Sequence, residues 1–272
     1  MQCFAPGTSG ERLTVAFWRK KGEIKPPRPP ASLTPGHRVY AIGDVHGRFD
    51  LLLDLIARIE ADNAARVPTE VHVVMLGDLI DRGPQSREII DYFLQGAPGF
   101  ACWHFIMGNH EEMLLKLIDQ PDSALLPQFL RFGGRETFES YGAPQRVLDT
   151  PDLYAPDTLL FHVPEDHRDF MRRMDDGILV GDYFFTHAGI RPGVALDQQE
   201  QQDLRWIRKG FLDSDADHGM IVVHGHTVLD EVEVRPNRIG IDTGAYATGK
   251  LTALGLEGTE RWLIQTEGEP GH

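Results

Sequence analysis

The sequence predicts a single α/β domain in which a parallel sheet in the first half is followed by a second half rich in β-strands. From Arg38 onward, a short apolar run, a glycine-centred turn and a segment of helical periodicity occur three times in succession. Parallel strands connected by helices account for this order. Further short apolar runs follow in the second half, and 272 residues are enough for one large domain with its own core.

The N-terminal residues 1–36 are predicted to be a flexible leader, followed by one catalytic domain over residues 37–268. The leader contains the run Lys25–Pro30, which favours an extended polyproline conformation and cannot build a core. We interpret its basic residues Arg19, Lys20 and Lys21 as a solvated stretch rather than a contact with a membrane or a partner.

The three repeated units predict the strands and helices that carry a site. The predicted strands are Arg38–Ile42, Val71–Leu76 and Ala101–Met107. The helical faces that follow them are Leu51, Leu52, Leu55, Ile56 and Ile59, then Ile89, Ile90 and Phe93, and then Met113, Leu114, Leu117 and Ile118. Because parallel strands present ligand groups at their carboxyl ends, we expect a site where these three strands end.

The segment from about residue 112 to 176 is predicted to be a small helical insertion that flanks the cleft. Short helices are expected around Pro127–Arg131 and His167–Met174. The strands expected after the insertion are Tyr183–Phe185, Met220–Val223, Glu231–Val234, Arg238–Ile241, Leu251–Leu256 and Arg261–Ile264.

The charge and the cysteine content exclude several classes of protein. The 41 acidic residues outnumber the 27 lysines and arginines, and a net charge of −14 repels nucleic acids and anionic lipids. We therefore expect neither long nucleic acid nor a stable membrane as a partner. Cys3 and Cys102 do not make a disulfide framework, which fits a reducing cytoplasm. No segment has the apolar length of a membrane span or the pattern of a signal peptide.

Five glycine-containing segments carry chemically competent side chains at predicted strand ends. They are Gly43–Gly47 (GDVHG), Gly77–Gly83 (GDLIDRG), Gly108–Glu111 (GNHE), Phe185–Gly189 (FTHAG) and Val223–Thr227 (VHGHT). A single Asp in such a place is usually a helix cap or turn residue, and a single His is usually a satisfied surface or core group. Five such segments together favour one shared site.

The donor types in these segments predict a pair of metal ions. Carboxylate, amide and imidazole donors suit Mn²⁺, Fe or Zn²⁺, and Mn²⁺ is the expected metal. The candidate ligands are Asp44, His46, Asp78, Asn109, His187 and His226. They exceed one tetrahedral shell, and a carboxylate can bridge two ions about 3.5–4 Å apart, so Asp78 is expected to be the bridge.

In their residues and in their order along the chain, the five segments resemble the motifs of the metallophosphoesterase superfamily, and most closely those of its phosphoprotein phosphatase branch. The family patterns G-D-x-H-G, G-D-x-x-D-R-G, G-N-H-E, H-[GA]-G and a final histidine after a strand all occur here, from about Arg38 to the C-terminus. The resemblance implies two packed β-sheets flanked by helices, with the small helical insertion. It also implies a protein similar to bacterial serine/threonine protein phosphatases.

Carried over residue by residue, the resemblance implies a role for each motif position. Asp44 and His46 would hold one metal, Asn109, His187 and His226 the other, and Asp78 both. Arg82 and Asn109 would bind the phosphate, His110 would protonate the leaving oxygen, and Asp81 would orient His110. The expected reaction is hydrolysis of a phosphate ester by a hydroxide that bridges the two metals.

The chain departs from the family pattern in two places. Met107 stands where many phosphoprotein phosphatases have an arginine that binds phosphate. Arg205 and Arg208 are the candidates to replace it, with Arg208 favoured, and the alternative is that both lie on the exposed face of a helix. His224 falls outside the usual Gly-His-x-His order, so we expect it to lie behind the ligands.

Three functions are compatible with these motifs. A serine/threonine protein phosphatase is favoured because the second motif reads Asp81-Arg82-Gly83, whereas bacterial diadenosine tetraphosphate hydrolases that resemble this family typically carry A-R-G. Such a dinucleoside polyphosphate hydrolase is the alternative. A non-catalytic scaffold is weaker, because every metal donor and the candidate acid are present. The expected substrate is a phosphorylated protein or a small phosphorylated molecule.

Overall fold

The computed structural model describes residues 30–120, 125–151 and 157–271. The strands are β1 (His37–Ile42), β2 (Glu70–Met75), β3 (Cys102–Phe105), β4 (Gly177–Val180), β5 (Tyr183–Thr186), β6 (Ile221–His224), β7 (Glu233–Val234), β8 (Arg238–Gly240), β9 (Thr252–Glu257) and β10 (Glu260–Gln265). They form two five-stranded sheets, ordered β10-β9-β1-β2-β3 and β4-β5-β6-β8-β7. The expected two-sheet α/β fold is confirmed.

The helices lie mainly in the first two-thirds of the chain. They are α1 (Phe49–Ala64), α2 (Ser86–Gly96), α3 (Asn109–Asp119), α4 (Leu125–Phe129), α5 (Arg135–Ser140), α6 (Gln145–Asp149), α7 (Asp157–Leu160), α8 (Glu165–Arg172), α9 (Gln201–Trp206) and α10 (Ala245–Thr248). The described chain between β3 and β4 contains helices and loops, as expected of the insertion.

Alternate residues of the first sheet pack into two different apolar layers. Tyr40 and Ile42 of β1 join the core beneath α1, α2 and α3, whereas Val39 and Ala41 join the core between the two sheets. This follows from the period of two along a strand, which sends successive side chains to opposite faces. Both faces of β1 are therefore covered, and a continuous apolar run is what such a strand requires.

The two ends of the domain meet in the first sheet. β1 runs parallel to β2, and β2 runs parallel to β3, but β9 returns to pair antiparallel with the other edge of β1. The last hairpin, β9 and β10, thus completes the sheet that the first half of the chain began. Periodicity predicted both strands but not this partner.

The first described residues do not fit the expected boundary of the leader. Ala31 and Leu33, which the prediction placed in the leader, are buried in the core between the sheets. The Leu33 N–H also donates to the Gly258 carbonyl oxygen at 2.9 Å. Two small apolar side chains among Pro and Ser gave too weak a pattern to predict this. The basic cluster and the rest of residues 1–29 lie outside the described residues.

Strand β4 was not predicted from the sequence. It pairs antiparallel with β5 at the edge of the second sheet, and Leu179 is more than half exposed.

Within the part of the chain that the structure describes, none of the helices has the length and apolar character needed to cross a membrane.

Candidate metal centre

The five predicted segments meet at one end of the two sheets. Residues after β1, β2 and β3 enter from the first sheet, and residues after β5 and β6 enter from the second. The six candidate ligands are all buried: Asp44, His46, Asp78, Asn109, His187 and His226. Buried ionisable side chains require compensating partners, so this concentration of them calls for a chemical explanation.

The backbone at the site is held in unusual conformations. Among the described residues other than glycine, positive φ angles occur at His46, Asp78, Asp81, Arg82 and His226. All five were predicted as site residues. Positive φ costs free energy in a residue with a Cβ, and such conformations cluster where function requires them.

Asp78 lies at the centre of the cluster. Its Oδ2 is 3.5 Å from His46 Nε2 and 3.4 Å from His187 Nε2. Two groups of converging donors share it, one with His46 and His110 and the other with His187 and His226. Burial by itself would raise the pKa of Asp78, but the positive charge that the surrounding imidazoles, His187 first, take up in acid lowers it below its usual range. Among the described residues, Asp78 is thus the carboxylate that belongs to both groups.

Each of two imidazoles turns a ring nitrogen without a proton toward the carboxylate of Asp78. His46 Nδ1–H donates to the Ile80 carbonyl oxygen at 2.8 Å, and His187 Nδ1–H donates to the Leu76 carbonyl oxygen at 2.8 Å. Burial lowers the pKa of both rings, so each is neutral at pH 7 and has no proton left for Nε2. A lone pair that faces a carboxylate is repelled, and a cation between the two groups removes the repulsion.

His226 and Asn109 complete the second group of donors. His187 Nε2 lies 2.9 Å from Asn109 Oδ1 and 3.2 Å from His226 Nδ1. The Nε2 atoms of His46 and His226 are buried and have no hydrogen-bond partner among the described residues. Buried nitrogens without partners are rare in folded proteins. Their presence in this cluster fits residues arranged to bind metal.

Asp44 lies beside these donors and outside both groups. Its carboxylate accepts the His226 N–H at 3.0 Å from Oδ2 and 3.2 Å from Oδ1. A Cβ on Gly225 would overlap Asp44 Oδ1, so only glycine allows this approach. Burial raises the pKa of Asp44, and the nearby carboxylates of Asp242 and Asp78 raise it further. A metal cation would compensate this density of negative charge.

Asp242 is a site residue that the sequence analysis missed. It follows β8, is buried, and has one carboxylate oxygen without a hydrogen-bond partner among the described residues. Burial raises its pKa to about 6. Its sequence, Ile241-Asp242-Thr243-Gly244, places an Asp after a strand just as the first two motifs do. This signal is visible in the sequence, but the family motifs that the chain resembles do not include this position.

His110 and Asp81 form a buried pair next to the donors. His110 Nδ1–H donates to Asp81 Oδ2 at 2.6 Å, and the Thr137 hydroxyl donates to the other carboxylate oxygen at 2.5 Å. Burial lowers the pKa of His110, but the carboxylates of Asp78 and Asp81 outweigh it and raise the pKa above its usual value. The second ring nitrogen, Nε2, lies 3.2 Å from the Arg82 guanidinium. In this arrangement Nε2 accepts from the Arg82 guanidinium, so a proton can occupy Nε2 only when Arg82 turns to another acceptor, such as a phosphate oxygen.

Glu111, although part of the third motif, had no predicted role. Its carboxylate accepts backbone N–H groups of Asp78, Leu79, Ile80 and Gly108. It thereby ties the loop after β2 to the first turn of α3 and fixes the position of Asp78. A Glu three residues after a helix cap is the signal of a capping box, which the sequence could have revealed.

The structure separates the two candidate arginines. Arg205 is buried, and its guanidinium pairs with Asp176 at 2.6 Å and Glu112 at 2.9 Å. Arg208 is exposed and donates to the His226 carbonyl oxygen at 3.2 Å. Arg208 alone of the two therefore lies at the site, and it forms no ion pair with a carboxylate among the described residues. His224 packs against Phe211 instead of joining the donors.

Comparisons with known proteins agree with this geometry. The family model described as calcineurin-like phosphoesterase matches residues 37–257. Serine/threonine-protein phosphatase 2 of Escherichia coli is 26% identical over 225 residues, which cover 79% of this chain and 90% of that protein. The asymmetrical bis(5'-nucleosyl)-tetraphosphatase PrpE of Anoxybacillus flavithermus is 25% identical over 235 residues, covering 78% of this chain and 88% of the relative.

A solved structure of a protein serine/threonine phosphatase from Saccharomyces cerevisiae has the same fold. The TM-score is 0.53 at 14% sequence identity, with 88% of this chain and 82% of that chain covered. At this identity the likeness concerns the fold alone.

Proposed function

The chain belongs to the calcineurin-like phosphoesterase family and is a hydrolase, and from this premise we propose that it is a metal-dependent serine/threonine protein phosphatase. The observation that carries the proposal is the pair of Asp81 and His110, joined at 2.6 Å beside the metal donors. An imidazole fixed in this way suits protonation of a poor leaving group such as the serine or threonine alkoxide. The similarity to the Escherichia coli phosphatase supports this choice.

The donor set fits two divalent cations, and we propose Mn²⁺ for both positions. The proposed ligands are Asp44 and His46 for one ion, Asn109, His187 and His226 for the other, and Asp78 for both. Donors of oxygen and imidazole nitrogen with no thiolate suit Mn²⁺. When bound, the pair of cations would lower the pKa of a water held between them and draw charge from the phosphoryl group.

The remaining residues of the site bind the phosphate and move a proton. Arg82, Asn109 and Arg208 are the proposed contacts to the phosphate oxygens, and Arg82 and Arg208 supply the positive charge. His110 donates its Nε2 proton to the leaving oxygen, while Asp81 accepts from Nδ1–H and stabilises the imidazolium.

A dinucleoside polyphosphate hydrolase is the second candidate. Tyr246 favours it, because its partly exposed ring lies beside the site, 4.7 Å from the Arg82 guanidinium and 5.5 Å from the His46 ring. An aromatic ring at this place could stack on a nucleobase. The similarity to the tetraphosphatase of Anoxybacillus flavithermus points the same way.

Turnover of the two substrates tests the proposal directly. The full-length protein loaded with Mn²⁺ is given a phosphothreonine peptide or diadenosine tetraphosphate, and phosphate and nucleotide products are measured. We expect a higher kcat/KM for the peptide. A higher value for the dinucleotide would favour the second candidate, and no turnover of either substrate would contradict both. We further propose a cytoplasmic location for the reaction.

A further inference from the structure

A second cluster of metal-competent side chains lies far from the candidate centre, near the amino ends of the parallel strands. His37, His72 and His104 form a row across β1, β2 and β3. His37 Nδ1 is 3.1 Å from His72 Nε2, and His72 Nδ1 is 3.1 Å from His104 Nε2. His72 precedes Asp78 by six residues, which at the rise of a strand span at most roughly 20 Å.

Cys102 extends this row into a potential coordination site. It is the cross-strand partner of His72 in the pairing of β2 with β3. One ligand atom each from His72, Cys102 and His104 lies within 4.8 Å of the others, and all three side chains are partly buried. Cys102 and His104 are two apart on one strand, so their side chains emerge on the same face.

We propose that His72, Cys102 and His104 bind a single divalent cation of the zinc class, separate from the dinuclear centre. One thiolate and two imidazoles are a donor set that suits Zn²⁺ and disfavours the harder Mn²⁺. The partial exposure of the three residues admits water as a fourth ligand. Because β3 is the last strand of its sheet, the ion would fasten the edge strand to β2.

The charge state of the two imidazoles is consistent with metal binding. Burial lowers the pKa of His72 and of His104, so both rings are neutral at pH 7. Each neutral ring has one nitrogen free of a proton, as a metal ligand requires. The 3.1 Å between His72 Nδ1 and His104 Nε2 is within hydrogen-bond distance, and it is close to the roughly 3.3 Å expected between two nitrogens that bind one tetrahedral ion at about 2.0–2.1 Å.

The opposite side of His72 offers a competing arrangement. His72 Nε2 lies 3.5 Å from a carboxylate oxygen of Glu70, and His37 Nδ1 lies 3.8 Å from the other oxygen. An ion bound there would have no sulfur ligand. Glu70 is strongly exposed, which weakens its hold on an ion, and we therefore favour the side with Cys102.

Cobalt substitution distinguishes the two arrangements without reference to catalysis. Co²⁺ bound to a thiolate gives a sulfur-to-metal charge-transfer band in the near ultraviolet, whereas oxygen and nitrogen donors do not. The full-length protein, stripped of metal and reloaded with Co²⁺, should show this band. Cys102→Ser should abolish it and lower the bound cobalt by one ion per chain.

The matched control is Cys3→Ser, which removes the other thiol of the chain and should leave the band intact. His104→Gln should weaken cobalt binding at this site by about 10-fold or more. The proposal is overturned if the unaltered protein shows no thiolate band, or if the band survives Cys102→Ser. Cobalt loss in His37→Gln without any thiolate band would assign the ion to the opposite side and would equally overturn it.

Discussion

At the scale of single residues, the site works through hydrogen bonds that assign each proton to one nitrogen. The carbonyl oxygens of Ile80 and Leu76 accept hydrogen bonds from the Nδ1–H groups of His46 and His187. Asp81 does the same for His110, yet its charge also raises the pKa of that ring. Neutral rings thus face the proposed metals, and His110, the proposed acid, is paired with a carboxylate.

Substitution of the two aspartates should separate metal binding from proton transfer. Asp78→Asn removes the carboxylate shared by both donor groups, so we expect loss of activity together with loss of bound metal. Asp81→Ala leaves the donors in place but frees His110, so kcat should fall by about 10²–10³-fold with metal content largely retained. Metal analysis and steady-state kinetics of both variants provide the check. Equal metal loss in the two variants would contradict the assigned roles.

The two arginines offer a matched pair of substitutions on neighbouring positions. Arg205→Ala removes the guanidinium from Glu112, which keeps Trp206 and Lys116, and from the partly exposed Asp176, so it should cost about 1–3 kcal/mol. Arg208→Ala should leave the melting temperature unchanged and raise KM for a phosphorylated substrate by roughly 10-fold, as expected for one exposed charged hydrogen bond. Arg205→Ala should therefore lower the melting temperature without raising KM, and Arg208→Ala should raise KM without lowering the melting temperature. A rise in KM only for Arg205→Ala would reverse the assignment.

At the scale of secondary-structure elements, local patterns predicted the elements well and their partners less well. The helical faces of α1, α2 and α3 were evident because each buries one stripe of apolar residues. Strand β4 was missed because it is short and its residues are partly exposed. The partner of β9 was not predictable, since hydrophobic alternation identifies a strand but not its neighbour in the sheet.

Helix α1 is held to the first sheet by a polar contact that can be tested. Asp62 Oδ2 accepts hydrogen bonds from Tyr40 at 2.7 Å, Arg66 at 2.9 Å and Trp262 at 3.1 Å. Asp62→Asn should lower the free energy of unfolding by about 1–2 kcal/mol and the melting temperature by roughly 3–6 °C. Asp54→Asn is the control on the same helix, because its exposed pair with Arg58 contributes little.

The pH dependence of this contact has a definite sign. Burial raises the pKa of Asp62, but the hydrogen bonds from Arg66 and Tyr40 outweigh it and lower the pKa below its usual value. The contribution is therefore complete above the unfolded pKa, near 4, and is lost as the pH falls through the folded pKa. The stability gap between Asp62→Asn and the unaltered protein should be constant near pH 7 and shrink below about pH 4. A gap that widens in acid would contradict this account.

At the scale of the whole molecule, the motifs predicted which residues meet, because both sheets end at the same edge. The five segments identified Asp78, His187 and His226, which the structure brings together, and Asp44, whose carboxylate accepts from the His226 N–H. Asp242 and Glu111 were missed although each has a local signal, an Asp after a strand and a Glu three residues after a helix cap. What the sequence does not reveal is the partner of each group, such as the N–H of Leu79 that Glu111 holds from a distant part of the chain.

Because donors come from both sheets, bound metal should fasten the sheets together at this edge. Asp78 follows β2 of the first sheet, whereas His187 and His226 follow β5 and β6 of the second. An ion that binds only the folded state stabilises it by about 2.7 kcal/mol at a concentration 100 times its Kd. Chelation should lower the melting temperature, and added Mn²⁺ should restore it as its concentration rises. Asp78→Asn should not respond, whereas Asp54→Asn should respond like the unaltered protein. A Mn²⁺-dependent rise of equal size in Asp78→Asn would show that the stabilising ion binds elsewhere.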